Sequence, residues 1–432
     1  MFKRIAVLLV LVVYLVGCSG SGTTPSSQAP SQGSAPSQSQ QPTANTPIVL
    51  DFPSWQAEEP GFAEFWKDLI AEFESTHENV TVKLTQIPFK NYVDTMTTRF
   101  AGNNPPDIVH LPSRNFAQFA AQGWLASLDD LLKDTDIPQN WTALQQEMVW
   151  DGKTQGVLLM GYGMMLYYNE KLLQDCGFSG PPTTPDELIA AARACTKDDV
   201  FGFGTVTTEH PNIYSDVSIF VIGVGSHWVK DGQYNFSDPA MIEGVNYWRE
   251  LLKYAPKGTT SEQKRQLFFD GKIAMMMDGP FVLASSDSAP ESVRPHVKIA
   301  HVPFPHIAGS VSNSLHIPAS LSEEKKALVW DFIQLAASPK YQALYAEYTK
   351  SPAPRKGAVT DETIQKIPEM ELFAEATELA VPMTPASKNI QQNYNEYSKI
   401  ISAAMMKLMT TDADTASVLA ELQAELESKV RP

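Results

Sequence analysis

The chain has 432 residues, a formal net charge of −16, 43% hydrophobic residues and 10% aromatic residues. That apolar content excludes a wholly disordered chain, and the length exceeds one ordinary core, so two domains are the expectation. The acidic balance argues against nucleic acid and anionic membrane surfaces, leaving neutral or cationic small molecules, or another protein.

Lys3 and Arg4 precede an almost unbroken apolar run from Ile5 to Val16. The pattern reads as an export signal, too short for a membrane span. It ends in Leu15-Val16-Gly17-Cys18, which resembles a bacterial lipobox. Residues 1–17 would then be a lipoprotein signal peptide and Cys18 the lipidated first residue; an ordinary secretory signal with a chance cysteine is the rival. Loss of Lys3 and Arg4 takes the charge from −16 to −18. Ser19 to Pro47 holds only Ser, Gly, Thr, Pro, Gln, Ala and Asn. Such a segment cannot bury enough apolar surface to offset chain entropy, so residues 18–47 are expected to be a lipidated cysteine and a disordered tether of roughly 30 Å. A glycosylated stalk is the alternative.

From Ile48 the elements alternate. Ile48-Val49-Leu50 is a short strand. Phe62, Phe65, Trp66, Leu69, Ile70 and Phe73 then share one helical stripe. Val80, Val82 and Leu84 alternate with polar residues as a half-buried strand; a helix is predicted over 92–101 and a third strand over 107–111. This order opens a doubly wound sheet, whose ligands bind beyond the carboxyl ends of the strands. Those ends carry Trp55, Tyr92, Arg114 and Asn115.

A second region runs from about Gly161 to Asp287. Asn169 caps a helix starting at Glu170, Thr184-Pro185-Asp186-Glu187 forms a capping box, and Asp238-Pro239 opens another helix. Strands follow at 273–277, 299–302 and 315–317, then a helix over 323–337 and amphipathic helices from about Ile390. Outside the cytoplasm, Cys176 and Cys195 are expected to form a disulfide, with two buried thiols as the alternative.

Several stretches resemble the sugar-binding family of bacterial extracellular solute-binding proteins, the maltose-binding-protein-like receptors of ABC importers. They are Pro106-Asp107-Ile108, Gly123-Trp124-Leu125, Asp151-Gly152-Lys153, Leu166 to Leu172, Pro182 to Leu188, Phe269 to Met275 with Asp278-Gly279-Pro280-Phe281, Trp330-Asp331-Phe332-Ile333 and Pro354-Arg355. The order of these pieces carries the likeness more than any one of them. The resemblance implies an α/β, two-lobed periplasmic-binding-protein-like fold (type II), each lobe a doubly wound sheet, with the ligand in the cleft between them. Lobe one would be 48–157 plus 298–347, and lobe two 158–297 plus 348–432. It implies a monomer that binds a mono- or oligosaccharide and delivers it to permease subunits, with no cofactor, no catalysis, and membrane attachment through the N-terminal lipid alone.

A sugar site needs aromatic platforms and polar partners for buried hydroxyls. The candidates are Trp55, Tyr92, Arg114, Asn115, Tyr162, Trp228, Asp278, Phe281 and Arg355. Each aromatic could equally be core, and Arg355 could be structural near the last hinge crossing. Metal binding is not expected: His296, His301 and His306 are spaced by five, and Tyr167-Tyr168 face opposite sides of a strand. No phosphate loop, nucleophile elbow or zinc-protease motif is present. The alternatives are a receptor of the same fold for a polyamine, peptide or anion, an anchored glycoside hydrolase, and an adhesion or chemosensory module that uses the cleft without transport.

Overall fold

Ile48–Ser54 and Val80–Gln86 pair in parallel, Leu50 opposite Val82, joined by the helix Phe62–Thr76. Phe62, Phe65, Trp66, Leu69 and Phe73 recur at helical spacing and are all buried. Trp66 meets Phe52 of the first strand edge-on, ring centroids 5.0 Å apart. These elements come from a computed structural model in which residues 47–432 are described. The signal, Cys18 and the tether up to residue 46 lie outside the described residues.

The next helix begins at Phe89, three residues before the predicted start. The third strand is Val109–Pro112 and begins later than expected, because Asp107 is engaged elsewhere. Its carboxylate accepts from Asp51 N at 2.9 Å and from Lys325 Nζ at 2.8 Å. Asp107 and Ile108 donate their N–H groups to Asp51 O, which holds the third strand beside the first. Asn313–His316 completes this first half, antiparallel to Val109–Pro112 and to Val157–Leu158.

The second half is built on four strands in the order Val297–His301, Met165–Asn169, Ile273–Asp278, Phe201–Gly204. This second sheet is mixed, whereas the first half pairs its first two strands in parallel and its other three antiparallel; each half takes a returning antiparallel strand from a distant part of the chain. Between them lies a small sheet of Gly161–Gly163, Ile307–Val311 and Ala380–Pro382. The chain goes out through 157–158, 161–163 and 165–169 and comes back through 297–301, 307–311 and 313–316. That double thread is the hinge of a two-lobed fold. At Gly163 a Cβ would sit 2.2 Å from Ala376 O, so no side chain fits there.

Two expectations need correction. The boundaries placed at 157/158, 297/298 and 347/348 each cut an element: Val157–Leu158 pairs with Asn313–His316 of the first half, Val297–His301 pairs with Met165–Asn169 and belongs to the second, and Pro339–Thr349 is one helix. A strand pattern says nothing about which sheet receives it. The capping box at Thr184 is half formed: Thr184 Oγ1 accepts from Glu187 N at 3.2 Å, but the Glu187 carboxylate bonds Thr183 instead. Asn169 and Asp238 cap their helices as expected, accepting from Leu172 N and Ala240 N, each at 3.1 Å. Cys176 and Cys195 form a disulfide with Cα atoms 5.3 Å apart. The last long helices, Tyr394–Thr410 and Thr415–Lys429, pack on Ile213–Gly223 and Pro239–Leu251 of the second half. From the first of them, Asn395 and Lys399 reach across to Asp94 in the first half, both at 2.9 Å.

Candidate functional site

The loop after the first strand carries Trp55, Gln56 and Glu59 to the edge of the first half. Trp55 is held from behind. Its ring lies flat on His110 at 4.1 Å, Tyr92 meets it edge-on at 4.9 Å, and Gln86 Nε2 donates to its carbonyl at 3.0 Å. Phe89 opens the second helix and comes within 5.8 Å of Trp55. Arg114, in the turn after the third strand, lies over the Phe89 ring at 5.5 Å.

The facing wall comes from the helix Ser261–Phe269 and from the end of the buried strand Ile273–Asp278. Thr260 caps that helix and Gln263 reciprocates, which brings Glu262, Lys264 and Arg265 to the cleft. Asp278 accepts two bonds from Arg265, each at 2.9 Å, and lies 3.1 Å from Lys264 Nζ. Lys264 is 3.7 Å from Asp216, whose other oxygen accepts from Thr205 Oγ1 and Val206 N. Burial alone would raise the Asp278 carboxyl; Arg265 and Lys264 beside it hold it far below the usual carboxylate range.

The turn after Asp278 aims an aromatic into the cleft. Gly279 N donates to Asp278 Oδ1 at 2.9 Å, and the Tyr167 hydroxyl fixes the carbonyls of Gly279 and Pro280. A Cβ at residue 279 would lie 2.4 Å from the Phe281 ring and 2.9 Å from that of Tyr162, so glycine is needed there. Phe281 and Tyr162 stand edge to face at 5.4 Å, and the Arg265 guanidinium covers Phe281 at 5.0 Å. Burial pushes the Tyr162 hydroxyl up to about 12.

These walls enclose a narrow chamber of about 60 Å³, which opens into an outer one of about 490 Å³, within the range of small-molecule sites. The outer chamber shares Trp55, Glu59, Phe89, Glu262, Arg265 and Phe281 with the inner one and adds His210. The halves touch across the cleft: Arg114 donates to Asn212 Oδ1 at 3.0 Å and to Ser215 Oγ at 3.2 Å. Burial and the nearby Glu262 and Asp278 carboxylates push Glu59 up to about 7, Arg265 opposing them.

Of the residues singled out from sequence, Trp55, Arg114, Tyr162, Asp278 and Phe281 line this chamber. The others lie elsewhere. Trp228 is 1% exposed and packs on Tyr214 and Phe236 inside the second half, its Nε1 donating to Ser218 Oγ at 2.8 Å. Tyr92 is fully buried behind Trp55, its hydroxyl within 2.9 Å of Pro53 O and 2.6 Å of His110 O. On that helix Phe89 is the cleft aromatic, because three residues further on the side chain turns back to the sheet. Asn115 is buried at the start of Phe116–Ala121 and lines no part of the chamber. Arg355 pairs with Asp136 and covers Trp141 at 5.6 Å, away from the cleft. Sequence reading missed Glu59, Phe89, His210, Asn212, Ser215, Lys264 and Arg265. Phe89 alone left a trace, as an aromatic at a strand end; the polar residues carry no local signature.

The family described as bacterial extracellular solute-binding protein matches residues 57–343. The chain belongs to that family. Among relatives of this solute-binding protein, the diacetylchitobiose binding protein DasA of Streptomyces coelicolor is 24% identical over 365 residues, 80% of this chain and 83% of DasA. A Brucella abortus protein is 25% identical over 226 residues, so the chain spans about half, 55%, of that relative's length. An ABC transporter solute-binding protein of Thermotoga lettingae, solved with alpha-D-tagatose bound, is 19% identical with a TM-score of 0.78. The match covers 88% of this chain and 99% of that one, and establishes the shared two-lobed fold.

Proposed function

We propose that this protein is the lipid-anchored carbohydrate receptor of an ABC importer, without catalytic activity, closing its halves on a mono- or oligosaccharide and presenting it to a permease. The observation that carries the reading is the aromatic lining of the chamber from both halves: Trp55 and Phe89 on one side, Phe281 on the other, and Tyr162 at the hinge. Flat rings match the C–H faces of a sugar, and the remaining lone pairs of Asn212 Oδ1, Ser215 Oγ and the Asp278 carboxylate accept from its hydroxyls. A guest that contacts both walls favours the closed arrangement, because only that arrangement satisfies both sets of contacts. DasA and the tagatose-bound neighbour are named or solved with sugars, which supports the same ligand class here. Cys18 would carry the lipid, at the outer face of the cell membrane or in the periplasm.

Native mass spectrometry of the purified protein, followed by thermal shift with N,N′-diacetylchitobiose, maltose and D-tagatose, tests the reading. A saccharide at about 100 times its dissociation constant should stabilise the fold by roughly 2.7 kcal/mol. Turnover of any of these sugars by the protein would replace the receptor with a hydrolase.

A further inference from the structure

Among the described residues, two polar groups in the outer chamber, the Glu59 carboxyl and His210 Nε2, are left without a hydrogen-bond partner. The half-buried Glu59, on the first half, makes no salt bridge, and its carboxyl accepts no hydrogen bond among the described residues. His210, on the second half, is 2% exposed, and its Nε2 has no hydrogen-bond partner. Its Nδ1 accepts the Asn212 backbone N–H at 3.1 Å, so the neutral ring carries its proton on Nε2. The Glu262 carboxylate at 3.8 Å is too far to accept that proton in a hydrogen bond. Burial holds His210 down at about 4, against the raising pull of Glu262 and Asp216, so the ring is neutral near pH 7. The chamber therefore presents one unmatched acceptor and one unmatched buried donor, from opposite sides.

Resting on the carbohydrate reading above, we propose that Glu59 and His210 together set the chemistry of the guest: uncharged hydroxyls, donating to the Glu59 carboxylate and accepting from His210 Nε2–H. A hydroxyl does both. At pH 8, where Glu59 is ionised, an ammonium has no lone pair for His210, and a carboxylate or phosphate anion meets the like charge of Glu59. The cations of the wall are already engaged, Arg265 and Lys264 on Asp278 and Arg114 on Asn212 and Ser215, so an anionic guest finds little to offset Glu59. Because the two groups belong to different halves, a hydroxylated guest answers both only when the cleft is shut.

The test is titration calorimetry at pH 8 of wild type, Glu59→Ala, His210→Phe and His210→Gln with N,N′-diacetylchitobiose, maltose and D-tagatose, beside spermidine and inorganic phosphate. Glu59→Ala and His210→Phe should each weaken the bound saccharide roughly tenfold, and His210→Gln, which keeps an N–H donor, should recover part of the loss. Glu59 lies on a loop, so its variant decides the matter even where His210→Phe fails to fold. A saccharide that binds wild type and both variants within about twofold overturns this pair alone. Binding of no saccharide to wild type overturns the carbohydrate reading and the pair with it. Tighter binding of spermidine or phosphate than of any sugar overturns the selection of an uncharged guest.

Discussion

Asp278→Asn is the sharpest test of how the cleft wall is held. The Asp278 carboxylate is the counter-charge for Arg265, bonded twice at 2.9 Å, and for Lys264 at 3.1 Å, with side-chain exposures of 6%, 17% and 2%. Losing its charge leaves the buried Lys264 with Asp216 at 3.7 Å and the half-buried Arg265 with only the more distant Glu59 and Glu262 to balance them. Breaking a buried pair from one side costs about 3–5 kcal/mol, since the orphaned charge keeps its desolvation penalty. Urea unfolding at pH 7 should register that loss. The pH dependence follows from the sign of the shift. The folded carboxyl lies below its ordinary value of 3.8, so its stabilisation is present above that value and fades as the pH falls below it. Wild type should therefore lose stability below about pH 4 more steeply than the variant. A loss under about 1 kcal/mol at pH 7 would mean that water, not Asp278, solvates the cations, and the reasoning would fail.

Arg114→Ala removes the bonds to Asn212 and Ser215 that span the cleft. A shift of about 2 kcal/mol toward the open form is expected, seen as a larger radius of gyration in small-angle scattering of the ligand-free protein; an unchanged radius refutes it. Glu59 titrates at about 7 in the folded protein, above its ordinary 4.5, so the stability of the folded state is full below 4.5 and declines as the pH rises through 7. Glu59→Gln should thus raise the melting temperature at pH 8 and leave it unchanged at pH 4. Trp228→Phe should cost about 1 kcal/mol by losing the bond to Ser218, while saccharide affinity stays within about twofold. Replacing Cys176 and Cys195 by serine should lower stability by about 3 kcal/mol, read by urea unfolding, because the bridge closes a span of 19 residues.

Local pattern gave the elements but not their partners. The helix Glu323–Ala337 and the caps at Asn169 and Asp238 follow from residues within a few positions of one another, and all stand where they were expected. The start of Phe89–Ala101 slipped because Pro88 and Phe89 carry no capping side chain to mark it. Val297–His301 was recognisable as a strand, yet its place beside Met165–Asn169 depends on a partner more than a hundred residues away. The same limit divided the site. Trp55, Tyr162 and Phe281 could be guessed from strand ends and turns, whereas Tyr92, guessed on the same grounds, and Trp228, placed by the family resemblance, proved to be core.

The sequence by itself determined the family, the alternation of strands and helices, and the sort of side chain a sugar cleft draws on, because these are written in short-range spacing and ordered motifs. Only the tertiary structure decided which aromatics face the cleft and that Arg265 and Lys264 neutralise Asp278. Among the described residues, it alone left the Glu59 carboxyl and His210 Nε2 without hydrogen-bond partners on opposite walls. The reason is physical. A side chain's exposure and its electrostatic partners are set by where distant segments meet, and no local pattern encodes that meeting.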